Sequence, residues 1–194
     1  MKHFSEASAT AEKVLDAAEG LLQQRGYNGF SFDDVARLVG IKKPSIYHHF
    51  ATKSELVAVV AQRYTHRFRE ALLGIEGRHA HAPERLAAYA GLFEQTFVVD
   101  QRLCVCGMLG AEAHSLPIEV STEVRRFFEA NLDWLTQVMG AGQLAGLIRP
   151  QPAAGPLAEA LLCALEGAMV VGRGLASKRG PAAVGAAMIS TVLA

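Results

Sequence analysis

Residues 31–55 read SFDDVARLVGIKKPSIYHHFATKSE, a pattern of two short helices joined by a tight turn. Ser31 is a good N-cap, with Asp34 three residues on to complete a weak capping box, and Val35, Leu38 and Val39 give the first helix one apolar face. Gly40 supplies a left-handed cap, Ile41 tucks under the turn, and Pro44 suits the first turn of a new helix, where its missing N–H is not needed. Two helices at this spacing form a helix-turn-helix. The second helix turns Ile46 and Phe50 inward and keeps Ser45, Tyr47 and His48 among its polar positions, behind Lys42 and Lys43. Short polar side chains, an aromatic hydroxyl and lysines at a helix start are what phosphate and base-edge contacts require, so the pattern points to duplex DNA. Charge agrees with this: from Arg37 to Arg69 there are seven Lys or Arg against one acid, Glu55, in a chain of 194 residues whose formal net charge is zero.

The flanking sequence extends the pattern. TAEKVLDAAEGLLQQRGYNGF, then SFDDVARLVGI, then KKPSIYHHFATKSEL, in this order, resemble the DNA-binding segment of the TetR-type transcriptional regulators over roughly residues 10–56. The resemblance implies an all-α protein of about nine helices: a three-helix helix-turn-helix DNA-binding domain over 1–55, then a larger effector-binding and dimerisation domain over 56–194. It implies that Ser31 caps its helix at the phosphate backbone, that Lys43, Pro44, Ser45 and Tyr47 face the major groove, and that His48 and Lys53 meet phosphates. Two positions depart from the usual pattern. Lys42 stands where many relatives have Ser; it cannot cap a helix but adds charge, and Asp33 would repel a nearby phosphate. The expected partners are double-stranded operator DNA, a second copy of the chain and a small-molecule effector. The expected action is repression relieved when the effector moves the fourth helix and separates the two readers.

Beyond the reader the chain stays helical. The spacing predicts a fourth helix over about 53–73, a connector over 74–82, a fifth helix to about 99, a sixth over 102–115, a seventh over 117–139, a Gly and Pro-punctuated link, an eighth over 157–176 and a ninth from 181 to the end. The resemblance locates the effector within residues 84–140, and the inward candidates there are Tyr89, Phe93, Phe97, Cys106, Met108, Phe127, Asn131 and Trp134, a largely aromatic set with few polar groups. Glu112 and His114 are further polar residues able to orient a ligand, and each candidate also fits plain core or surface.

Assembly is suggested by the last two helices. Leu157, Leu161, Leu165, Ala168, Met169 and Gly172 recur at three- and four-residue steps, and the ninth helix, which includes Val184 and Met188, carries no charge. A four-helix contact between two copies would cover them, and a two-fold dimer matches two-fold half-sites about 34 Å apart. Packing within one protomer is the alternative.

Cys104 and Cys106 lie about 200° apart on a helix, so they cannot pair or clamp a metal without unwinding. One of them could sense an electrophile or oxidant if Arg102 or a helix start lowers its pKa; packing is the other reading. An enzyme is disfavoured, because His114 is two turns or more from either cysteine and no phosphate loop, G-x-S-x-G or H-E-x-x-H occurs. An effector-free DNA binder leaves the large apolar helical portion without a role. No cofactor or metal is implied, and His48 and His49 point too far apart to share an ion. The longest uncharged runs are shorter than the roughly 20 residues of a spanning helix, so a cytoplasmic protein is expected.

Overall fold

A computed structural model describes Phe4, Ser8–Ser177 and Arg179–Ala194. Among the described residues there are nine α-helices: α1 (Ala9–Arg25), α2 (Phe32–Val39), α3 (Lys43–His49), α4 (Lys53–Arg78), α5 (Ala82–Phe97), α6 (Val105–Ala111), α7 (Ile118–Leu144), α8 (Ala154–Gly174) and α9 (Pro181–Val192), with one 3-10 turn at Ala113–Ser115. The only extended pairing among them is an isolated antiparallel bridge between Ile148 and Leu193.

Several ends differ from the sequence expectation for physical reasons. Helix α7 runs through Gly140 and Gly142 instead of stopping near Met139, because Gly142 is a point of close approach rather than a breaker: a Cβ there would lie 2.6 Å from Ile148 and 2.8 Å from Ala82. Helix α4 likewise continues past Gly74 and Gly77 to Arg78. The expected sixth helix is only seven residues of α-helix followed by the 3-10 turn. At the start of α4, Glu55 N–H donates to Thr52 Oγ1 at 3.1 Å, and the Glu55 carboxylate accepts from Ala51 N–H at 2.9 Å, one residue before the position a capping box would use.

The chain packs as two compact units, Met1–Phe68 with Val105–Phe127, and Arg69–Cys104 with Phe128–Ala194; the divisions fall inside α4, at the start of α6 and inside α7. In the first unit, α1 packs on α2, α3 and α6. Val14, Leu15, Ala18 and Leu22 of α1, Val35 of α2, Ile46 of α3 and Phe50 are buried, and so are Val105, Cys106 and Leu109 of α6. The buried stripe of α2 is Phe32, Val35 and Ala36 with half-buried Val39, so Leu38, expected on the apolar face, is left 63% exposed. Arg63 of α4 is buried against three α1 carboxylates, Glu12, Asp16 and Glu19, at 2.8–3.0 Å, and Arg67 also pairs with Glu19. Phe127 is buried against Tyr64 and Phe68, ring centroids 5.6 and 5.2 Å away.

In the second unit, α5, α8 and α9 pack on one another. Leu157, Leu161, Leu165, Met169 and Gly172 form the buried face of α8, and a Cβ on Gly172 would come within 2.9 Å of the Phe97 ring. This corrects the assignment of those five residues to a dimer contact: their recurrence at three- and four-residue steps marks the face turned to the chain's own core. Ala168 and Met188 are half-buried, and Val184 is exposed. Helix α8 is long and apolar enough, by length and composition, to cross a membrane, with mean hydropathy 1.5 over its most apolar window. Counting uncharged runs passed over it because Glu159 and Glu166 interrupt the run.

Candidate nucleic-acid interface

Ser31 ends an extended segment and caps α2 in a full capping box: its hydroxyl accepts from Asp34 N–H while the Asp34 carboxylate accepts from Ser31 N–H at 2.9 Å. The Ser31 hydroxyl also donates to the Asp34 carboxylate at 2.7 Å, and this bond, the largest cause, with the Ser31 N–H, Arg37 and Arg25, holds the Asp34 carboxyl below its ordinary value. At the other end Gly40 is left-handed (φ 75°, ψ 31°), and its N–H and that of Ile41 both donate to the Ala36 carbonyl. The turn delivers the chain directly to Lys42, which precedes α3 without a side-chain cap, and Pro44 occupies the first turn.

Helix α3 then has one face in the core and one in solvent. Ile46 is fully buried, whereas Pro44, Ser45, Tyr47 and His48 are exposed together with Lys42. Tyr47 is half exposed, and its ring packs edge-on against Phe32 at 5.1 Å, so the hydroxyl is carried on a braced ring. Beside it, Phe30, Ser31, Phe32, Lys43, Tyr47, Ala51, Thr52 and Lys53 line an open concavity of about 350 Å³. Of the expected DNA contacts, Ser31, Lys43, Tyr47 and Lys53 line this concavity, whereas Lys42, Pro44, Ser45 and His48 do not.

Two lysines are engaged differently from expectation. Lys43 is paired with Asp33 at 2.8 Å, and this hydrogen bond raises its pKa; the acid expected to repel phosphate is neutralised by its neighbour. Lys53 donates to the Phe30 carbonyl and lies over the Tyr27 and Phe30 rings, 4.7 and 4.3 Å from their centroids, and burial lowers its pKa. Of the seven basic residues that suggested a cationic face, Arg63 and Arg67 are committed to α1 acids. The basic surface is narrower than the sequence count.

Sequence reasoning also missed how the turn between α1 and α2 is held. Glu112, considered there as a ligand-orienting residue, accepts from the Tyr27 and Asn28 backbone N–H groups and from Asn28 Nδ2. Gly26 permits this contact twice over, with φ of 73° and no Cβ, which would stand 2.7 Å from Glu112 Oε2. The nearest sequence signal was the R-G-Y-N-G turn itself.

The residues expected around an effector are divided between the units. Cys106, Met108 and Phe127 belong to the first, and Tyr89, Phe93, Phe97, Asn131 and Trp134 to the second. Within the second, Tyr89 donates to Asn131 Oδ1 at 2.8 Å and its ring lies 5.4 Å from Phe93 and 5.5 Å from Trp134. Trp134 Nε1 donates to Glu76 at 2.8 Å. Cys104 and Cys106 are both buried. Cys104 hydrogen-bonds Glu166, an acid rather than the activating cation a sensor needs, and Arg102 pairs with Asp100 at 3.9 Å. Both thiols are therefore expected to resist N-ethylmaleimide in the native protein and to react only in denaturant. Intact mass spectra showing rapid native adducts at either would contradict this placement.

A solved transcriptional regulator of the TetR family from Agrobacterium tumefaciens is 32% identical to this chain with a TM-score of 0.88, covering 96% of this chain and 98% of that one. The chain belongs to the TetR family of transcriptional regulators. Residues 14–60 of this TetR-family protein match the family model described as bacterial regulatory proteins, tetR family, which takes in α2, α3 and the start of α4. The HTH-type transcriptional repressor DhaR of Mycobacterium sp. (strain GP1) is 27% identical over 160 residues, 82% of this chain and 80% of its own length. The biofilm operon icaADBC HTH-type negative transcriptional regulator IcaR of Staphylococcus epidermidis is 28% identical over 118 residues, which span 60% of that regulator's length. This TetR-family chain is a DNA-binding transcriptional regulator, and members of its family bind operator DNA as dimers.

Proposed function

We propose that this regulator is a cytoplasmic homodimeric repressor, without enzymatic activity, that leaves its operator when a small molecule binds in its helical C-terminal portion. The observation that carries the reading is the exposed face of α3, where Ser45, Tyr47 and His48 stand beside Lys42 on a helix fixed by the Ser31–Asp34 box and the Gly40 turn. Such a helix supplies base-edge contacts from its side chains and phosphate contacts from its flanks. Repression is supported by the names of DhaR and IcaR.

For the dimer, the supporting surface is the outer face of α8 and α9. Ala160, Cys163, Gly167, Val170, Val171 and Gly174 are exposed at three- and four-residue steps, and Ala183, Val184 and Ala187 extend the same small, uncharged character on α9. For release, population shift is the mechanism: a ligand favouring a spacing of the two readers unsuited to successive major grooves lowers affinity by its differential binding.

Selection from a random duplex pool tests the reading. The expected product is an inverted repeat whose half-sites are separated by about one helical turn or a multiple of it, and Tyr47→Ala should lose the enrichment while keeping native helicity. Enrichment of no symmetric site, or the same site with equal yield from the variant, would overturn it.

A further inference from the structure

The two reading helices are tied at both ends to one distant stretch of their own unit. Ahead of them, in the turn after α1, Gly26 N–H still closes the helix on the Leu22 carbonyl, but the next two N–H groups, of Tyr27 and Asn28, both donate to the Glu112 carboxylate. Successive N–H groups in a turn make a concavity suited to an anion. Asn28 Nδ2 donates to the same carboxylate at 3.1 Å and to Ser115 Oγ at 3.2 Å. The turn is shaped for this grip: a Cβ on Gly26 would stand 2.7 Å from Glu112 Oε2, and one on Gly29 only 2.2 Å from the Arg25 carbonyl oxygen. Just beyond it, Ser31 caps α2, and Lys53, within electrostatic reach of Glu112, donates to the Phe30 carbonyl. On the far side of the reader, Glu119 at the start of α7 hydrogen-bonds Ser54 at the start of α4. Residues 112–119 therefore hold both the segment that enters α2 and the segment that leaves α3.

Apolar burial at Val35, Ile46 and Phe50 keeps the reader folded, but burial is non-directional and tolerates small rotations. Hydrogen bonds weaken steeply with angle, so they fix direction as well as proximity. Water could satisfy the N–H groups of a partly exposed turn; it could not anchor that turn to residues 84–87 positions away.

We infer that Glu112 is a positioning residue for DNA reading: by gripping the turn between α1 and α2 it sets the angle at which α3 is presented to the groove. The inference rests on the reading of α3 given above. It carries a sign that charge alone would reverse. Removing an acid beside a phosphate-binding surface strengthens binding to any duplex if the acid acts only as a charge, whereas loosening the reader weakens binding to the operator and leaves binding to random sequence unchanged.

Fluorescence anisotropy of the full-length protein on a selected operator duplex and on a random-sequence duplex, each across a salt series, tests this in wild type, Glu112→Ala, Glu112→Gln and Tyr47→Ala. Glu112→Gln keeps the size, but its amide NH2 cannot accept, so at least one donor of the turn loses its partner. Both Glu112 variants are expected to bind the operator about fivefold or more weakly, with random-sequence affinity and salt slope as in wild type. Tighter binding to both duplexes would make the carboxylate a mere charge, and unchanged affinity for the operator would show that the grip positions nothing; either result overturns the inference. Loss of the cooperative melting transition in both variants would make the contact a folding one and overturn it as well. If Tyr47→Ala weakens operator binding and the Glu112 variants do not, the reading of α3 stands and this inference falls. If the Glu112 variants weaken it and Tyr47→Ala does not, α3 has been misassigned as the reading helix.

Discussion

Leu165→Glu is expected to abolish cooperative folding of the second unit. Leu165 is completely buried on the inner face of α8, and its Cδ2 lies 3.0 Å from where a Cβ on Gly185 of α9 would stand. The substitution loses a leucine's burial, about 2–5 kcal/mol, and places a carboxyl in the core without a partner at a cost of several more. Set against a typical total stability of about 5–15 kcal/mol, that removes most or all of it. Circular dichroism should show lost helicity or a melting transition displaced far downward. The opposite face of the same helix gives a control: nothing lies within 4 Å of a Cβ built on Gly167. Gly167→Glu should therefore leave the protomer folded and even favour the helix, while putting a charge into the proposed dimer contact. Sedimentation should find a folded monomer. A native-mass dimer in Gly167→Glu would mean the outer face of α8 is not the contact, and a normally folded Leu165→Glu would mean the core has been misassigned.

The second large effect is on the pH dependence of stability. Glu166 ionises near 4.5 in an unfolded chain but near 7 in the folded one, because burial disfavours its charge. Between those values the native state binds more protons than the unfolded state, so this residue makes stability fall as pH rises, and its effect levels off above about 7. At about 1.4 kcal/mol for each tenfold change in proton affinity, the loss is on the order of 3 kcal/mol. Glu166→Gln has no such dependence. Urea titrations should therefore find the variant close to wild type near pH 4.5 and more stable by up to that amount near pH 8. A difference that is the same at both pH values would show that the buried carboxyl is not the cause.

The parts of this protein that were legible in its sequence are those where local chemistry dictates conformation. Ser31 with Asp34, Gly40 and Pro44 fix the ends of α2 and α3 by capping and turn geometry, and these act within a few residues of themselves. What needed the structure was everything decided by distant partners. Lys43 and Lys53 look alike as basic residues at the start of α3 and of α4, yet one is paired with Asp33 and the other is drawn to the Phe30 carbonyl. Arg63 and Arg67 were counted as surface charge although α1 lies ready with three acids. The leucines of α8 were read as a face, correctly, but a periodic stripe does not say whether its cover comes from the same chain or another. Glu166 was invisible for the same reason: within ALLCALEGAMVVG it reads as a solvated acid until its neighbours are known. The Gly26 and Glu112 contact joins residues whose sequence separation no local rule spans.

The central claim is that the exposed face of α3 reads duplex DNA. Fluorescence anisotropy with a selected duplex, across a salt series, tests it most directly in wild type, Tyr47→Ala and Lys42→Ala. Lys42 is exposed and caps nothing, so its loss removes charge with little structural cost. Wild type should bind with affinity that falls steeply with salt. Tyr47→Ala should bind at least about fivefold more weakly, the effect of a lost contact worth about 1–3 kcal/mol, and Lys42→Ala should flatten the log–log salt slope by about 0.9, one phosphate's worth per subunit engaged. Equal affinity and equal slope in all three proteins would contradict the assignment of α3 as the reading helix.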